Sequence, residues 1–197
     1  LWRELAIKEG FDGIYLVATK RHDYLPSTVK EEFNAIMKFQ PQEVYNSPQF
    51  QGKNPLINRI SNYLRFLPES IINFLYHYRS KFSGVKIYDS EEVWAQLIKN
   101  AYKPIHDFKG DIFESIYVNW DNTPRYRNKA TIFSHIEPDN FGRKLSNILQ
   151  IAQKNHSPYL FINAWNEWAE GAYLEPDTLY GYQYLDIIKK IKKSIKL

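Results

Sequence analysis

Two apolar runs, IFESIYVNW (residues 112–120) and YLFINA (residues 159–164), with a helical stretch opened by Pro138 between them, decide the fold. Each run is short and rich in Ile, Tyr, Phe and Val, which reads as a strand buried on both faces. In the intervening stretch Phe141, Leu145, Ile148, Leu149 and Ala152 recur at helical spacing and form one apolar face. A strand, a helix and a strand in that order make a crossover, which sets the two strands parallel. Working outward, residues 11–18 read as an earlier strand and residues 85–88 as another. A helix starts at Pro26 and Ser27, with Glu31 and Glu32 in its first turn and Val29, Phe33, Ile36 and Met37 on one face. Ser90 is placed to cap a helix carrying Val93, Trp94, Leu97, Ile98 and Ala101, and a last helix is predicted from about residue 180 to 195.

Strands alternating with helices predict an α/β chain with a parallel sheet. A complete eightfold barrel usually needs about 250 residues and at the very least about 200. These 197 residues, with about four units, therefore predict roughly one half of a (β/α)8 TIM-type barrel. A small doubly wound parallel sheet is the alternative. The chain contains neither GxGxxG nor GxxxxGK[ST], which weakens any nucleotide-binding version of it. The whole chain reads as one domain, with a helical insertion at about 40–84. Residues 2–8 read as a helix already under way at Leu1, the pattern of part of a longer protein.

Composition narrows the function. Of the residues 44% are hydrophobic and 24% charged, enough apolar material for a globular core. Cysteine is absent, which removes disulfide scaffolds, thiol nucleophiles and Cys-based zinc sites. No apolar run reaches the length of a membrane span. The net charge of +4 lies in residues 186–197, where five lysines accompany one aspartate, so the rest of the chain is balanced. A balanced body gives no general footprint for DNA or RNA, and no nucleic-acid partner is expected. The five histidines are scattered without ligand spacing, and no metal site is expected.

Reactive side chains concentrate just past the run at 159–164: Asn163, Trp165, Asn166, Glu167, Trp168, Glu170, Tyr173, Glu175 and Asp177. Sites in parallel α/β folds form at the carboxyl ends of strands, where connecting loops gather. Glu167 and Glu170 are three residues apart and share a side if the chain makes a helical turn there. Two carboxyl groups in an aromatic, partly dry pocket resist joint ionisation, which provides an acid beside a base. That is equipment for glycosidic bonds, and the spacing fits the retaining class, with its carboxyl pair about 5–5.5 Å apart, better than the inverting class. The spacing alone equally describes a solvated turn at a helix start.

The run from Phe161 to Asp177, followed by Tyr180 and Gly181, resembles the signature of WbsX-type proteins, a glycosyltransferase family of bacterial surface-polysaccharide loci. That family is similar to glycoside hydrolase family 99, the endo-α-mannosidases. Two upstream blocks agree: Trp2-Arg3-Glu4-Leu5-Ala6 leading to Gly13-Ile14-Tyr15, and Asn119-Trp120-Asp121-Asn122-Thr123-Pro124-Arg125. The resemblance implies the (β/α)8 barrel, with this chain supplying roughly its C-terminal half, and a carbohydrate substrate, without metal or organic cofactor. By position it gives Glu167 the task of deprotonating the sugar 2-hydroxyl, which attacks C1, and Glu170 the task of protonating the leaving oxygen. Ala169 stands where the hydrolases tend to carry His. Around the pair, the expected substrate-binding residues are Trp120, Asp121, Arg125, Trp165, Asn166, Trp168, Tyr173 and Glu175. The resemblance further implies a cytoplasmic protein whose missing partner is the rest of its own barrel. The last helix places Tyr184, Ile188, Ile191 and Ile195 on one face and lysines on the other. It is expected as the outer helix of the barrel, with peripheral contact to an anionic inner-membrane face as the lesser alternative.

Overall fold

The computed structural model describes residues 1–22, 25–47, 84–103, 105–134 and 136–194. Residues 48–83, most of the predicted insertion at 40–84, lie outside them.

The chain opens with helix α1 (Trp2–Lys8), strand β1 (Val17–Lys20) and helix α2 (Ser27–Glu32). Strand β2 (Ala35–Lys38), helix α3 (Gln42–Tyr45) and strand β3 (Lys86–Asp89) follow. Helix α4 (Ser90–Ala101), strand β4 (Asp111–Tyr117), helix α5 (Thr123–Tyr126) and strand β5 (Thr131–Ser134) come next. Helix α6 (Pro138–Lys154), strands β6 (Leu160–Asn163), β7 (Asn166–Glu167) and β8 (Ala172–Tyr173), and helix α7 (Gln183–Ser194) complete the order.

The main sheet is parallel throughout, in the order β1-β2-β4-β6. Register sets Lys20 beside Lys38, Met37 beside Phe113, and Tyr117 beside Asn163. The order rises along the chain without the reversal that defines a doubly wound sheet. No closed barrel is formed by the described residues, and β1 and β6 are the sheet's two edges.

Four expectations are corrected. The strand expected at residues 11–18 lies instead at Val17–Lys20, with residues 11–16 outside any strand. The predicted helix from Pro26 ends at Glu32, and Ile36 and Met37, assigned to its apolar face, belong to strand β2. The break comes at Asn34, whose Oδ1 accepts hydrogen bonds from Leu16 N–H and Arg3 Nη2 and whose N–H donates to Leu16 O. The strand at 85–88 exists as β3, yet it pairs with β5 in a separate two-stranded parallel sheet instead of joining the main one. Helix α4 is capped by Asp89, which accepts from Glu91 N–H at 2.8 Å, with Ser90 already the first helical residue.

Packing follows the patterns. Phe141, Leu145, Ile148 and Ile151 of α6 are buried in the core cluster with Ile116 and Val118, and Ala152 is buried as well. Helix α7 lies on α6, with Tyr184 buried and its hydroxyl donating to Ile136 O at 3.1 Å. Ile187, Ile188 and Ile191 pack partly buried against the same cluster, so the apolar face of α7 is occupied by the core while Lys189, Lys190, Lys192 and Lys193 are exposed. No helix of the described residues is long and apolar enough to cross a membrane.

A buried ionic layer ties β1, β2 and β4 to α3 and α4. Lys20 Nζ lies 2.7 Å from Glu43 Oε1, and Lys38 Nζ lies 2.7 Å from Glu114 Oε1 and 3.1 Å from Asn100 O. Each charge in it is nearly solvent-free, so each needs its partner. The turn after β2 is joined to the neighbouring strands by polar contacts: Ser115 Oγ accepts from Gln40 N–H at 2.9 Å, and Asn163 Nδ2 donates to Gln40 O at 3.0 Å. The carboxyl ends of β2, β4 and β6 are thereby held together under the site.

Candidate functional site

The site is built on the chain that leaves β6. Strands β7 and β8 form a short antiparallel hairpin, with Asn166 opposite Tyr173 and Glu167 opposite Ala172. A 3₁₀ turn, Trp168–Glu170, joins them, with Glu167 at its N-cap. Residues i and i+3 of such a turn eclipse one another, which puts the Glu167 and Glu170 side chains on one side. Gly171 closes the turn at φ +62, a left-handed conformation. It also lies against Asp121, where a Cβ would come within 3.0 Å of the backbone nitrogen. Asp121 N–H donates to Glu170 O at 2.8 Å. The hairpin is therefore docked by backbone onto the segment following β4.

That docking delivers Arg125. Its Nη1 lies 2.8 Å from Glu170 Oε1 and its Nη2 3.6 Å from Glu167 Oε2. One guanidinium reaches both carboxyl groups, so they converge. Their surroundings differ: the Glu170 side chain is 15% exposed and that of Glu167 48%. Burial raises the Glu170 pKa above its ordinary value and, with repulsion from Glu167, outweighs the opposing pull of Arg125 and Arg21.

The other expected residues fall into groups. Trp168 stacks on Tyr173 with ring centroids 3.8 Å apart and planes 16° apart, and its Nε1 donates to Glu175 Oε2 at 2.6 Å. The result is an exposed, pre-set aromatic pair. Tyr173 OH donates to Asp177 at 3.0 Å, and burial together with that carboxylate raises the tyrosine pKa. Backbone N–H groups, Tyr180 foremost, hold the Asp177 carboxyl below its usual value, so this aspartate anchors the loop. Trp165 and Asn166 are exposed at the hairpin's entry, and Trp165 O accepts from Leu174 and Glu175 N–H. Asp121 accepts from Thr123 N–H at 2.9 Å and shares a bridge with Ile132, a positioning arrangement. Trp120 is 5% exposed and packs against Phe133, with part of its surface turned into a cavity.

That cavity, of about 300 Å³, opens beside Glu170. Its walls come from α3, from the α5 region and from β5, and they include Gln42, Tyr45, Asn122, Tyr126 and Lys129. Sequence reasoning missed these residues, and it missed Arg21, which follows β1, lies 4.8 Å over the Phe39 ring and adds positive field at Glu170. They come from segments remote in sequence and, apart from Asn122 in the 119–125 block, carry no motif. The one available signal was position, since each follows or adjoins the carboxyl end of a parallel strand.

A family model described as Glycosyltransferase WbsX matches residues 1–188. The chain belongs to that family. Two curated relatives, each named uncharacterized protein WxcX, come from Xanthomonas campestris pv. campestris strains B100 and ATCC 33913. Each is 37% identical over 102 residues, which is 49% of this chain and 14% of the relative. This WbsX-family chain thus matches only a small part of those proteins. No solved structure matches it significantly.

Proposed function

We propose that this WbsX-family chain is a carbohydrate-active enzyme acting on glycosidic bonds, most simply as a glycosyltransferase of surface-polysaccharide assembly. The observation that carries the reading is the convergence of Glu167 and Glu170 on Arg125, with the more buried carboxyl raised in pKa. Glu170 suits the acid, because a raised pKa keeps a carboxyl protonated closer to neutrality. Glu167, half-exposed beside the guanidinium, suits the base.

In the proposed reaction Glu167 takes the proton of the sugar 2-hydroxyl. That oxygen attacks C1 while the bond from C1 to the leaving oxygen breaks, and the leaving oxygen takes the proton of Glu170. A 1,2-anhydro sugar results. In the second step Glu170, now a carboxylate, deprotonates an incoming hydroxyl, which opens the three-membered ring at C1, and O2 recovers its proton from Glu167. Two displacements retain configuration. A sugar hydroxyl as the incoming group makes the enzyme a transferase, and water makes it a hydrolase.

The ascending parallel order of the main sheet supports reading it as an arc of a (β/α)8 barrel, with further strands adding at β1 and β6. The test of the chemistry is a panel of alkyl glycosides and glycosyl fluorides. Fluoride departs without a proton donor, so Glu170→Gln is expected to keep first-step fluoride release while losing alkyl glycosides by about 10²-fold or more. Glu167→Gln is expected to lose both. Turnover of a 2-deoxy donor at the parent's rate would refute the mechanism, since it has no 2-hydroxyl to use. A purely glycan-binding protein would show no turnover in any arm.

A further inference from the structure

The cavity beside Glu170 has a composition that the proposed reaction does not explain. Glu170 lies on its wall and Glu167 does not. If Glu170 hands its proton to the leaving oxygen, whatever that oxygen is attached to extends into this space. The inference rests on that assignment. A volume of about 300 Å³ is at the small end of ligand pockets and suits one monosaccharide unit.

The walls favour a polar ring. Trp120, Tyr45 and Tyr126 offer aromatic surface. Gln42 Oε1 is buried without a hydrogen-bond partner among the described residues, an acceptor waiting for a donor such as a sugar hydroxyl. Asn122 Oδ1 already accepts from Thr131 N–H at 2.7 Å, which leaves its amide group to serve the cavity as a donor.

The charge is one-sided. Among the described residues lining the cavity, Glu170 is the sole acid, and Arg125 lies 2.8 Å from it. Lys129 is on the opposite side of the balance, with no acidic partner among the described residues. Behind the wall, Lys86 Nζ donates to Tyr45 OH at 3.4 Å. Cations around a small polar cavity with their one carboxyl already held by Arg125 select for negative charge on what enters.

We propose that this cavity is the subsite for the sugar on the leaving-group, or acceptor, side and that it recognises an anionic substituent on that sugar through Lys129. The charge can be supplied by a ring carboxylate or by a phosphate, and the two share the chemistry that Lys129 reads.

The test is binding of monosaccharides to the full chain by saturation-transfer NMR. The probes are glucuronate and galacturonate, glucose 6-phosphate, and neutral glucose and galactose. At low salt the acidic sugars are expected to bind about five- to tenfold tighter than the neutral ones. The preference should shrink at high salt, disappear in Lys129→Ala and survive in Lys129→Arg. Gln42→Ala should weaken acidic and neutral sugars alike. The uronate and phosphate arms distinguish the two sources of charge. Equal affinities, no detectable binding of any probe, or a preference that persists in Lys129→Ala would overturn the proposal. The catalytic reading fails separately: if Glu167→Gln and Glu170→Gln keep full turnover while the acidic preference stands, the chemistry is misassigned and the cavity loses its place on the leaving-group side while keeping its selectivity for anionic sugars. If both variants lose turnover while no acidic preference appears, the subsite alone falls.

Discussion

Replacing Gly171 with alanine tests whether Glu170, the proposed proton donor, is placed by its backbone. Gly171 has φ +62, and a Cβ there would lie 3.0 Å from Asp121 N, 3.3 Å from Asp121 Cβ and 3.4 Å from Asp121 O. Left-handed backbone costs an alanine about 1 kcal/mol or slightly more. The contact adds to this, because carbon atoms rest comfortably about 3.5–4.0 Å apart and backbone cannot rotate aside as a long side chain would. The hairpin must retreat, loosening the 2.8 Å bond from Asp121 N–H to Glu170 O. Such a bond is worth about 1 kcal/mol net, so Gly171→Ala should cost about 2–3 kcal/mol in all. Gly181 is the control: it has φ +54, and nothing lies within 4 Å of its hypothetical Cβ. Gly181→Ala should therefore cost only the conformational part, about 1 kcal/mol. Urea denaturation followed by tryptophan fluorescence measures both, and turnover should fall selectively in Gly171→Ala as Glu170 shifts. Equal losses in the two variants would refute the idea that contact with Asp121 seats the hairpin.

Four further outcomes follow from the same geometry. Arg125 lowers the Glu170 pKa, so Arg125→Met should raise it further; because the proposed donor works while protonated, the alkaline limb of the pH–rate profile should move to higher pH. Lys20→Met should destabilise the fold by about 3–5 kcal/mol in thermal or urea unfolding, because it strands the buried Glu43 carboxylate. Burial raises the Glu43 pKa, but Lys20 and the hydrogen bonds from Lys20 and Gln40 prevail and lower it below the usual 4.5. Glu43 therefore contributes stability that is present above about 4.5 and lost as pH falls through its folded value, and Glu43→Gln should flatten that acid limb. Tyr184→Phe should cost about 1 kcal/mol through the lost bond to Ile136 O, while Lys189→Ala should leave the unfolding midpoint nearly unchanged.

Much of the fold is readable where local pattern and tertiary fate agree. Strands β4 and β6 and helix α6 were legible because short apolar runs and helical spacing matched what these segments became. Strand β2 was not, because Val29, Phe33, Ile36 and Met37 happen to keep helical spacing across a helix, a turn and a strand. Ala-Ile-Met-Lys has one β-branched residue and little strand propensity of its own; it is extended because β1 and β4 flank it on both sides. Strand β3 looked like a strand and was one, but local propensity carries no information about which neighbour it pairs with. At the site, spacing and resemblance brought out Glu167, Glu170 and Arg125. Gln42 and Tyr45 reach the same cavity from helix α3 and Lys129 from the segment between α5 and β5, and only three-dimensional assembly brings them together.

The shared guanidinium has an energetic consequence for the proposed cycle. As Glu167 gains a proton, Glu170 gives one up, so the trio of Arg125 and two carboxyls holds the same total charge before and after each step. Negative charge merely crosses from one arm of the fork to the other, over a distance that one planar cation already spans. The surrounding protein and solvent then have little to rearrange, which lowers the reorganisation needed for either direction of transfer.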